Sequence, residues 1–266
     1  MAHLEASMGW SARRGRRAAL SACALLMAMA LTACGDGDGD GEEPERTPAT
    51  TATPSPSPTG TPDPADFVAK IDNPYLPLVP GTTFRYEGVG DEGQREQGVV
   101  EVTRQTKEIL GVRTTVVRDT VREDGEVVED TFDWYAQDRD GNVWYFGEDS
   151  KDLEGGKVVS TEGSWQAGKD GAEPGIVMEA HPKAGDVYRQ EHAKGVAEDM
   201  GEVLGLDERV TVAYGKFDRV LKTKDFTPLE PDVVEHKFYA RGVGLVREEA
   251  VKGGKGHLEL VEVTRP

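Results

Sequence analysis

The chain has 266 residues, with 31 basic against 49 acidic side chains and a formal net charge of −18. That balance excludes a surface built to neutralise nucleic-acid phosphates, which takes an excess of Lys and Arg. It also opposes lying flat on an anionic bilayer.

The first element is a basic cluster, Arg13, Arg14, Arg16 and Arg17, followed by an apolar run over residues 18–33. The run is 16 residues long, shorter than the roughly 20 that a spanning helix needs. Charge, then an apolar stretch, then small residues is the order of a signal peptide, predicted here over residues 1–33. The run ends in Leu31, Thr32, Ala33 and Cys34, which resembles the lipobox of bacterial lipoproteins. The resemblance implies cleavage before Cys34 and a diacylglyceryl group on its thiol, with fatty chains such as palmitate. It also implies a partner, the membrane, and a location on the outer face of the cell membrane. Arg16 and Arg17 leave the general and the twin-arginine export routes both open. Loss of residues 1–33, with four arginines and Glu5, leaves 27 basic and 48 acidic groups. It also leaves a single cysteine, so no disulfide is expected.

Residues 34–65 alternate Gly and Asp and then become rich in Pro, Thr and Ser. Such a stretch has almost nothing to bury and is predicted to be a disordered tether. It would span at most ~110 Å, or ~30 Å as a flexible coil. Asp36, Asp38 and Asp40 imitate a calcium loop, but the twelfth position is Thr47, where a bidentate Glu is needed.

Residues 66–266 carry no second linker and are predicted to form one domain with a substantial core. Short alternating stretches punctuated by glycine turns predict strands at 83–89, 98–104, 112–121, 126–137 and 143–146. Further strands are predicted at 187–191, 209–213, 217–222, 233–240, 244–248 and 257–263. One helical turn is expected near 66–70. The fold class is therefore all-β: a single antiparallel domain, a curled sheet or half-barrel with little helix. Asn73 through Gly81, the run 130–148, Pro174 through Met178 and the run 239–246 resemble a family of uncharacterised bacterial envelope lipoproteins. That resemblance brings no activity with it. The closing strands, 237–248, are also similar to curled sheets of lipoprotein-carrier type, which implies a half-barrel around a cavity.

The hairpin around Asp138 to Gly141 carries the candidate site. Strand residues alternate between faces, and paired residues share one. A loop of two or four residues would put Tyr135 with Trp144 and Phe146, beside Asp133 and Glu148. It would put Trp134 with Val143 and Tyr145. A three-residue loop would swap these partners. The ligand-binding candidates are accordingly Tyr135, Trp144, Phe146, Asp133 and Glu148. They suit a small-molecule or apolar ligand with a hydroxylated or cationic part.

Other chemistries find little support in the residues. His181, His192, His236 and His257 have no close metal-binding spacing. Ser164 lies outside any Gly-x-Ser-x-Gly motif. Asp138, Asp140, Asn142 and Asp149 read more simply as an Asp-Gly turn than as a metal loop. No cofactor is implied. Asp133 opposite Glu148, carboxylates about 5 Å apart, keeps a cell-wall hydrolase open as an alternative to a binding or carrier module. A structural partner of another envelope protein is a third reading.

Overall fold

The computed structural model describes residues 62–266. Cys34, the predicted signal peptide and nearly all of the predicted tether lie outside them. The helical content of the described residues is one 3-10 turn, Pro64–Asp66, which leads directly into a strand. It stands in place of the turn expected at 66–70.

The first half of the domain comprises β1 (Phe67–Val68), β2 (Thr83–Val89), β3 (Arg95–Ile109), β4 (Val112–Glu123), β5 (Glu126–Asp138) and β6 (Val143–Glu154). Five short strands follow: β7 (Lys157–Ser160), β8 (Trp165–Gln166), β9 (Glu173–Met178), β10 (Val187–Arg189) and β11 (Glu191–His192). The chain closes with β12 (Met200–Val212), β13 (Gly215–Phe226), β14 (Val234–Ala240), β15 (Gly244–Lys252) and β16 (His257–Thr264).

All pairings are antiparallel, in the order β10-β12-β13-β14-β15-β16-β2-β3-β4-β5-β6-β9-β11. The two ends of this path, β10 and β11, are consecutive in the chain and joined through Gln190. The backbone amides of Gln190 and Glu191 both donate to the Asp199 carbonyl, at 2.8 and 3.2 Å. The sheet therefore curls until its ends meet, as a nearly closed barrel. Closure leaves few exposed edges to manage.

Several strands run longer than their alternation suggested. β3 and β4 slip register between Val102 and Thr106, and β12 and β13 slip three times between Val203 and Val210. Each of the three β12–β13 slips shifts the inward parity by one, so the period-2 pattern breaks while the strand continues, and the β3–β4 slip inserts two extra residues into β3. β9 was hidden differently, because its Pro174 and Gly175 read as turn residues.

The segment between β1 and β2 is a strap fastened across the β5–β6 turn. Asn73 Nδ2 donates to the carbonyls of Gly141 and Glu179, at 2.9 and 3.1 Å. Its Oδ1 accepts from the amides of Tyr75 and Leu76, at 2.8 and 3.2 Å. Gln137 Oε1 accepts from the amides of Asp72 and Asn73. Further on, the Gly242 amide donates to Pro74 O at 2.7 Å, and Arg241 lies over the Tyr75 ring. The motif Asn73-Pro74-Tyr75-Leu76-Pro77-Leu78 thus ties the start of the domain to both the β5–β6 and β14–β15 turns.

Candidate functional site

The β5–β6 turn decides which aromatics meet. The Asp138 amide donates to Asn142 O at 3.0 Å, which leaves Arg139, Asp140 and Gly141 as a three-residue loop. Gly141 takes φ +97°, the left-handed residue that such a loop requires. Asp138 holds the turn, accepting from the Asn142 amide, Asn142 Nδ2 and Trp144 Nε1, each at 2.8 Å.

This loop length overturns the expected grouping. Tyr135 pairs with Tyr145, and Ala136 with Trp144. Tyr135 therefore faces the barrel interior with Tyr145, their rings stacked at 4.8 Å. Trp144 and Phe146 lie on the outer face, where Phe67 of β1 meets them edge-on at 6.0 and 5.5 Å. Trp134 shares that outer face, its ring capped by the Lys107 ammonium at 3.1 Å, rather than standing with Tyr145. A bulge at Phe146 and Gly147 then restores the other half of the pattern. Asp133 stands directly opposite Glu148, both buried and both interior.

The interior holds a cavity of ≈ 120 Å³. Its walls are Phe84, Tyr86, Val100, Val117, Tyr135, Val177 and Tyr239. Its rim is Leu76 and Pro77 of the strap with Val243 and Leu245 at the β14–β15 turn. These rim residues are partly exposed, while the four charged residues of the lining, Asp119, Asp133, Lys237 and Glu248, are buried. The cavity is therefore apolar at its mouth and charged at its floor.

The floor is electrostatically uneven. Burial works against the charge on Lys237, but Asp225 and Glu248 outweigh it and hold the ammonium well above the usual lysine range. Its Nζ lies 3.1 Å from Asp225 and 3.8 Å from Glu248. Tyr145 Oη donates to Asp133 Oδ1 at 2.6 Å, and burial keeps that phenol protonated. Asp119 has no such neighbour at its Oδ1, which accepts no hydrogen bond among the described residues. Burial, reinforced by Glu129, Asp133 and Glu248, pushes its carboxyl well above the usual range.

Of the predicted site residues, Asp133 and Tyr135 line the cavity. Glu148 is interior but outside the lining, and Trp144 and Phe146 are on the far face of the sheet. Asp119, Lys237 and Glu248 escaped the sequence reading. A signal existed for Asp119, which sits between Val117 and Val121 on the buried parity of β4. No group of His, Cys, Asp and Glu among the described residues is arranged to hold a metal ion.

No family model and no curated protein matches this chain. Two solved structures are similar to it in shape. One is a presumed exported protein with a YmcC-like fold from Bacteroides fragilis, at 16% identity and TM-score 0.44. The other is a presumed lipoprotein from Parabacteroides distasonis, at 12% identity and TM-score 0.40. Each comparison covers 72% of this chain and 99% of the other. These likenesses are too low for any property of those proteins to pass to this one.

Proposed function

We propose that this protein is a lipid-anchored, extracytoplasmic binding or carrier module that takes a small, mostly apolar ligand into its barrel. The location rests on the ordered signal ending at Cys34, and the tether would hold the domain off the membrane. The ligand reading rests on one observation, the apolar-mouthed cavity inside the barrel. Concave sites with apolar walls and a few placed polar groups suit small ligands. Its ≈ 120 Å³ is comparable to an engineered cavity of about 150 Å³ that accepts benzene. A larger ligand would seat one end there and lay the rest across the apolar rim.

The hydrolase alternative has less support. The cavity reaches Asp133 but not Glu148, so the two carboxylates do not share one opening.

The test is calorimetric titration of 1-hexanol and benzene into the full chain held in lipid nanodiscs, with empty nanodiscs as blank. Wild type is expected to bind. Val100→Phe, which fills the wall, is expected to abolish binding while leaving the unfolding midpoint nearly unchanged. Absence of binding by wild type, or equal binding by Val100→Phe, would overturn the reading.

A further inference from the structure

Resting on that cavity reading, we propose that the ligand carries a positively charged amine, seated against Asp119 at the cavity floor with its apolar part towards the rim. Four observations converge on this chemistry.

The first is the sign of the floor. Three carboxylates, Asp119, Asp133 and Glu248, face the cavity against one ammonium, Lys237. That ammonium is already engaged by Asp225 and Glu248, and no ion pair joins it to Asp119 among the described residues.

The second is the state of Asp119. It is only 6% exposed, it lines the cavity, and its Oδ1 has no partner. A buried acceptor without a donor is costly and is rare in a folded protein. An ammonium arriving through the mouth would supply the donor and the counter-charge together. A carboxylate-bearing ligand would supply neither.

The third is the aromatic wall. Tyr86, Tyr135 and Tyr239 line the same cavity. Their hydroxyls remain uncharged, since burial raises all three above the ordinary tyrosine range. Neutral ring faces attract a cation where an anionic phenolate is not required.

The fourth is polarity along the axis. The charged residues are buried and the rim, Leu76, Pro77, Val243 and Leu245, is apolar and partly exposed. A molecule with a cationic head and a short hydrocarbon body matches that gradient end to end. Seated the other way round, it would leave its charge on the apolar rim and Asp119 unanswered.

Binding of such a head is coupled to a proton. The groups facing Asp119 are Tyr86 on β2, Glu129, Asp133 and Tyr135 on β5, Glu248 on β15 and, across the floor, Lys237 on β14. Burial, as the largest cause, and the carboxylates among them push the Asp119 carboxyl well above the usual range in the empty cavity. An ammonium opposes that shift and favours the ionised carboxylate as the head seats. Affinity for the amine then rises with pH, up to the point where the amine itself loses its charge.

The experiment compares three ligands of one chain length, n-hexylammonium, 1-hexanol and hexanoate, by titration calorimetry on the full chain in lipid nanodiscs. Hexylammonium is expected to bind at least tenfold more tightly than hexanol, and hexanoate more weakly than either. In buffers of differing ionisation heat, hexylammonium alone is expected to release protons. Asp119→Asn is expected to lose both the tenfold preference and the proton release. Equal affinity for hexylammonium and hexanol, or a preference that survives Asp119→Asn, overturns the amine assignment while the cavity reading stands. Failure of all three ligands to bind overturns both. Should Asp119→Asn not fold, the wild-type preference for hexylammonium over hexanol decides alone, and its absence rejects the proposal.

Discussion

Trp144 shows how one residue can look like a ligand contact and be something else. Its ring lies under Phe67, and its Nε1 donates to Asp138, the residue that organises the turn before it. It is 6% exposed, and its face of the sheet is covered by the start of the domain. Trp144→Ala would remove a large buried side chain and leave an acceptor of Asp138 unanswered. We expect a loss of about 3–5 kcal/mol of stability, read from the urea midpoint, with cavity binding of 1-hexanol retained. Loss of hexanol binding at unchanged stability would return Trp144 to the site. Tyr135, one position across the same hairpin, has the opposite role because its side chain points into the barrel.

The β5–β6 hairpin is the element whose details decide the site, and two glycines set them. Gly141 closes the three-residue loop, and Gly147 makes the bulge. Gly147 stands at φ +121°, and a β-carbon there would lie 2.3 Å from the Trp165 carbonyl oxygen. Gly147→Ala would therefore strain the backbone and push β8 away from β6. A cost of about 2 kcal/mol or more is expected from thermal unfolding. A neutral effect would show that the bulge relaxes without strain. Much of the architecture was legible in advance, because period-2 alternation and Asp-Gly or Gly-rich turns announce antiparallel strands residue by residue. The all-β class and the central strands follow from that local signal. The pairing of faces does not, since it hangs on a single residue of loop length and a single bulge. Of the five candidates, Asp133, Tyr135 and Glu148 lie in the interior, and Trp144 and Phe146 lie on the outer face beside Phe67. Lys237 and Glu248 were illegible for a different reason: they reach the floor through β14 and β15, far from the hairpin in sequence, and only barrel closure brings them there.

At the scale of the whole molecule two properties are open to measurement. The first is the anchor. With Cys34→Ala, the protein is expected in the soluble fraction or as an unprocessed precursor, and an unmodified Cys34 by intact mass in native membranes would contradict the lipobox reading. The second is the acid-rich interior. Eleven Asp and Glu side chains are buried among the described residues, against one buried base, Lys237. So many carboxylates cannot all be charged away from water. Burial, as the leading cause, pushes Asp199 from 3.8 to about 7, and it holds Asp119 and Glu191 well above their usual ranges. A carboxyl whose folded pKa is raised holds its proton when the unfolded chain has released it. The folded state then binds more protons, and stability falls as pH rises. For Asp199 the contribution is fully present below pH 3.8 and is lost progressively up to about pH 7, at no more than ~1.4 kcal/mol per pH unit. The urea midpoint is thus expected to be higher at pH 5 than at pH 7, the reverse of a protein held by ionised surface carboxylates. Asp199→Asn should flatten that slope, because the amide has no proton to lose. A midpoint that climbs steadily from pH 5 to pH 7 would mean that the buried acids are ionised in the folded barrel, each with a counter-charge close by.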